Sequence, residues 1–147
     1  MWWLIAVLAI GLVVAGVFWW RLVASRRALR LYLRQAQQTT DQTVRRALAD
    51  LEWVSAGPLV SEPVADVWGH GILAFEYVIP LPATPNVTAL NAALVTAAVE
   101  ADIHGLDAQT PAFLVSDFWQ REAQLHFDVA FVANAATAEY VMDVERV

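Results

Sequence analysis

The chain has no cysteine and no lysine, only 3 histidines in 147 residues, and no acidic residue before Asp41. Each absence excludes something. Without cysteine there are no disulfides, no thiolate metal sites and no sulfur nucleophile. The sequence also lacks a glycine-rich phosphate loop, a nucleophile elbow and a dinucleotide fingerprint, so the common signatures of nucleotide and acyl-transfer chemistry are missing. All positive charge rests on 9 arginines, and none of them lies between Ala47 and Gln120, where nine acids fall. Such a segment repels phosphate backbones, and nucleic acid is excluded as an expected partner.

What is present is strongly segregated. Residues 1–40 carry five arginines and no acid, whereas residues 41–147 carry four arginines and all 15 acids, for a net charge of −6. From Trp2 to Trp20 no residue is charged. At 1.5 Å per residue that run spans roughly 28 Å, about the hydrocarbon thickness of a bilayer. Trp2, Trp3, Trp19 and Trp20 bracket it as the two aromatic interfaces, because an indole offers an apolar body to the tails and an N–H to the headgroups. Arg21, Arg26, Arg27 and Arg30 follow at once, with Arg34 beyond. No positive side chain precedes the run, as a cleaved signal would want. The reading is a signal anchor: a single-pass transmembrane helix over 1–24 with the N-terminus outside and the remainder cytoplasmic, its arginines among anionic headgroups of the lipid bilayer.

Residues 25–55 contain no glycine or proline and predict a continuing basic helical stalk. Leu29, Leu33, Ala36, Thr40, Thr43 and Ala47 recur at alternating spacings of four and three, a heptad seam through which a coiled-coil homodimer could form, the other reading being a single helix docked on its own domain. Gly57, Pro58 and Pro63 end the helix and open an acidic domain over 56–147.

In that domain the periodicity turns to two. Leu73, Phe75, Tyr77 and Ile79 predict one strand face, paired as a hairpin with Val64–Trp68 across the turn at His70. Residues 84–105 predict a helix with Thr84 as N-cap, Pro85 at the first helical position, Gly105 as its stop, and Val87, Leu90, Leu94, Ala97 and Ala101 as its apolar stripe. Ala112–Trp119 and Ala123–Val132 predict a second hairpin, with Leu125, Phe127, Val129 and Phe131 buried and the alternate residues wet. The tail, through Tyr140, Val141, Val144 and Val147, suits a short C-terminal helix better than an edge strand. The expected class is α+β, a two-layer domain with an antiparallel sheet in the order β-β-α-β-β plus that last element. Residues 73–78, LAFEYV, and 125–130, LHFDVA, resemble each other, which suggests a duplicated unit.

Few residues carry chemistry. His126 and Asp128 share a strand face, and Glu76 joins them if the hairpins are neighbours; a carboxylate beside an imidazole orients it as a general base. This is the best catalytic candidate, although a solvated strand face shows the same alternation. Glu100 and His104, four apart on a helix, are candidate metal ligands with Asp102 and Asp107 close by, yet the stretch has neither the two-histidine spacing of zinc proteases nor a calcium loop, and no cofactor or metal is expected. His104 also suits the negative end of a helix. Asn86 heads a glycosylation sequon, and Trp68, Phe118 and Trp119 fall near predicted turns, where they either cap the core or anchor a partner.

Three functions remain open. The first is a non-enzymatic accessory or scaffolding module that binds a protein partner in a membrane complex. The second is an assembly or secretion component: an apolar N-terminal helix running on into a sheet domain resembles type IV pilins and pseudopilins in element order, which would put the domain outside. The chain has no prepilin cleavage site before the apolar run and no glutamate near its start. The third is a small-ligand sensor or enzyme using Glu76, His126 and Asp128.

Overall fold

The computed structural model describes residues 1–53, 57–64 and 71–144. Two compact units emerge, Met1–Arg34 and Gln35–Val147. A helix, α1, runs over Trp2–Asp50. In its first unit the described side chains from Met1 to Leu22 are exposed. It contains a window long and apolar enough to cross a membrane, with mean hydropathy 2.1.

The second unit is an α+β domain. Its elements after α1 are β1 (Ser61–Pro63), β2 (Ala74–Pro80), α2 (Val87–Glu100), β3 (Phe113–Arg121), β4 (Gln124–Phe131) and α3 (Ala135–Val144). The four strands form one antiparallel sheet in the order β1-β2-β4-β3. The compact unit begins at Gln35, and Ala36, Thr40, Thr43, Val44, Ala47 and Leu48 are all buried in it. Ala36, Thr40, Thr43 and Ala47 among these also lie on the heptad seam. Gln37 donates from Nε2 to the carbonyl and hydroxyl of Ser61 at 3.0 and 2.8 Å, tying α1 to the first strand.

One face of the sheet is apolar. Leu73, Phe75, Tyr77 and Ile79 are buried as the alternation predicts, with Leu125, Phe127 and Val129 from β4. Tyr77 and Phe127, cross-strand partners, stack at 5.4 Å. The Tyr77 hydroxyl donates to Asp41 Oδ1 of α1 at 2.7 Å, which marks this as the face that α1 covers. Burial pushes the Tyr77 phenol far above its ordinary range, and the Asp41 carboxylate adds to the effect. From α2, Leu90, Ala93, Leu94, Ala97 and Ala98 are buried, a stripe rotated from the expected one, with Val87 and Ala101 left exposed.

Helix α2 begins later than sequence suggests. Asn86, not Thr84, is the N-cap: its side-chain oxygen accepts the Ala89 N–H at 3.1 Å, so Pro85 lies outside the helix. The helix also ends earlier, at Glu100. Asp102 takes a left-handed φ of 56°, its N–H reaches Val99 O, and Ile103 N–H reaches Ala98 O, a Schellman ending. The end of α1 repeats it: Glu52 has φ 58°, with bonds from Glu52 to Ala49 and Trp53 to Leu48. Gly105 serves elsewhere. A Cβ there would stand 2.7 Å from the Thr110 carbonyl oxygen, so glycine permits a close approach of two backbone segments.

The first hairpin partner of β2 is Ser61–Pro63, one segment earlier than Val64–Trp68, and Pro63 is tolerated there because β1 is an edge. Trp68 and His70 lie outside the described residues. The expected second hairpin is present, closed by a turn with Glu122 at φ 55°. The chain thus runs helix, Schellman ending, outer strand and inner strand twice. The two inner strands pair about Glu76 and Asp128, which face each other at the centre. LAFEYV and LHFDVA contribute these matching strands.

The other face of the sheet is not simply wet. Helix α3 packs at one end of it, where Ala74, Ala130, Val132 and Val141 form a second apolar cluster flanked by Leu114, Ala138 and Tyr140. Asn134 caps α3, accepting the Thr137 N–H at 2.8 Å and donating to Gly71 O at 2.8 Å. Thr137 Oγ1 accepts the Leu73 N–H at 3.0 Å.

Candidate functional site

Glu76, His126 and Asp128 do come together, on the face shared with α3. Glu76 of β2 is the cross-strand partner of Asp128 of β4, and His126 Nδ1 lies 3.2 Å from Glu76 Oε1. The His126 ring stacks on Trp119 of β3 at 5.1 Å, so one side is held by a carboxylate and one face by an indole. Sequence reading expects Asp128 in water, yet it is only 6% exposed.

A bulge in β3 completes the arrangement. Val115 pairs with Val129, but the register then slips, and Asp117 comes opposite Asp128 where Ser116 would otherwise stand. Glu76, Asp128 and Asp117 therefore lie abreast across three strands, like charges directly opposed in a sheet, which is destabilising when all are ionised. Burial pushes the Asp128 carboxyl up to about 7; Glu76 and Asp117 add to that, and His126 acts against it. Burial also raises the Tyr140 phenol of α3; the neighbouring Ser116 hydroxyl opposes this, and Asp128 and Asp117 reinforce it.

Three buried polar atoms here, Ser116 Oγ, His126 Nε2 and Asp128 Oδ1, have no hydrogen-bond partner among the described residues. Groups of this kind are costly and concentrate at working sites. Chemically, an oriented imidazole beside a carboxyl that exchanges its proton near neutrality is suited to proton transfer or to holding a polar ligand. Sequence reasoning missed Ser116, Asp117 and Tyr140. The trace of the first two was the polar pair Ser116–Asp117 interrupting the apolar run of β3, and Tyr140 stood out only as one residue of the C-terminal helix.

The other candidates are not assembled. Glu100 is ion-paired with Arg46, joining α2 to α1. His104 lies beyond the helix end, 3.8 Å from Asp102 with both exposed, so Glu100 and His104 share no helical turn. No group of three or more Asp, Glu or His side chains placed for a metal ion occurs among the described residues. Asp107 holds its own loop: its carboxylate accepts the Gln109 and Thr110 N–H groups at 2.8 and 2.7 Å, which keeps its pKa below the usual carboxylate range. Comparison with known protein families, characterised proteins and solved structures finds no match to this chain.

Proposed function

We propose that this is a single-pass membrane protein, N-terminus outside, whose acidic α+β domain is cytoplasmic and acts without catalysis as an accessory or scaffolding module for a protein partner in a membrane complex. The observation that carries the reading is the partition of residues along one helix: uncharged from Trp2 to Trp20, bracketed by tryptophan pairs, then followed at once by Arg21, Arg26, Arg27 and Arg30. Positive residues are retained on the cytoplasmic side, so the domain follows them. Its acidity suits a basic partner surface and keeps it off anionic lipid.

The test is topology. Reporters active only in the cytoplasm, or only outside, are fused after Val147. Cytoplasmic activity is expected, with a second subunit co-purifying from detergent; activity outside would sink this reading and promote a pilin-like assembly role.

A second reading, a small-ligand sensor or enzyme on the face of Glu76, His126 and Asp128, is favoured by the buried polar atoms there that have no partner among the described residues. Binding of polar ligands that survives His126→Ala unchanged would remove it.

A further inference from the structure

We propose that the cluster of Glu76, His126 and Asp128 is a proton-binding site that governs the seating of α3: the helix docks firmly while Asp128 holds a proton and loosens when Asp128 ionises. The inference is independent of the membrane-tethered reading, since it concerns one face of the domain alone.

The geometry carries it. Asp128 lies in the middle of a three-carboxylate row, buried, with Oδ1 unpartnered among the described residues. An ionised carboxylate in that position needs donors that the cluster does not direct at it, because His126 Nδ1 already faces Glu76. The neutral acid needs fewer. Among the described residues, the titratable groups facing Asp128 are Glu76 from β2, Asp117 from β3, His126 from its own strand and Tyr140 from α3, with no arginine among them.

The seat of α3 adjoins this acid. Ala130, two residues along β4 on the same face, belongs to the apolar cluster that receives Val141. The helix is pinned at its start, through Asn134 to Gly71 and through Thr137 to Leu73. In its second half Val141 is the buried side chain, whereas Met142 and Val144 are 49% and 36% exposed. Water reaches an ionised Asp128 most cheaply by lifting this half, with Tyr140 on it.

The direction follows from linkage. The Asp128 pKa rises from 3.8 to about 7 on folding, so the folded chain holds the proton more tightly than the unfolded one. The stabilisation is complete below about pH 4 and is lost as pH rises through about 7.

The experiment is amide hydrogen exchange on the full chain in lipid nanodiscs from about pH 5.5 to 8.5, corrected for the intrinsic chemical rate. Exchange in residues 138–144 should rise at least about tenfold across neutrality, since one pKa unit of coupling corresponds to tenfold, while β4 amides stay protected. Asp128→Asn should flatten the α3 profile, and Glu76→Gln should move its midpoint to lower pH. If α3 and β4 track each other at every pH, or if the α3 response persists in Asp128→Asn, as one owed to His126 would, the proposal is overturned. Should Asp128→Asn not fold, a Glu76→Gln midpoint equal to wild type overturns it equally.

Discussion

The two faces of the sheet are built from alternate residues of the same strands, yet they solve burial differently. Under α1 and α2, Phe75, Tyr77, Ile79, Leu125, Phe127 and Val129 meet apolar neighbours, and the one phenol among them has a partner in Asp41. On the α3 side, alanines alternate with Glu76, His126 and Asp128, and buried polar atoms have no partner among the described residues. The first face is arranged for stability, whereas the second gives stability up at a localised cluster of titratable groups. Such a cost is characteristic of sites that do something other than hold the fold together.

Three substitutions sharpen the contrast. Phe127→Ala, on the covered face, removes the ring stacked on Tyr77 and should cost about 3–5 kcal/mol in urea unfolding; a loss near 1 kcal/mol would mean that this face is not the main core. Asn134→Ala, at the cap of α3, removes hydrogen bonds to Thr137 and Gly71 and should cost about 1–2 kcal/mol. Its loss should appear mainly as faster exchange within α3, and equal acceleration in β2 would erase the distinction between the faces. Arg46→Ala, at the rim between α1 and α2, breaks an ion pair exposed on both sides and should cost less than about 1 kcal/mol. A larger loss would make that rim part of the core rather than its solvated border.

Much of the domain was legible because its signals were local. Strict alternation from Leu73 to Ile79 and from Leu125 to Val129 gave the two central strands, and the proximity of Glu76 to His126 and Asp128 followed once those hairpins were neighbours. What escaped was decided by contacts made at a distance. Thr40 and Thr43 look too polar for a core, yet both are buried, their hydroxyls returned to the carbonyls of Ala36 and Thr39 at 2.8 and 3.0 Å. Asn86 outcompeted Thr84 because its side chain reaches the third amide of the helix. The burial of Asp128 depends on a bulge in one strand and a helix docked from the far end of the chain, and neither leaves a periodic trace.

The asymmetry of the two sheet margins has a consequence for how copies of this protein coexist. β1, three residues long and closed by Pro63, is too short to serve as a template for another strand. β3 is nine residues long, but two of its amides are already engaged: Val115 N–H donates to the Asn91 side chain at 2.9 Å and Phe118 N–H to the Asp117 carboxylate at 2.8 Å. An incoming strand would have to evict both before it could zip on. Crowded together, these molecules are therefore guarded against fibril growth by the side chains of Asn91 and Asp117 along that margin.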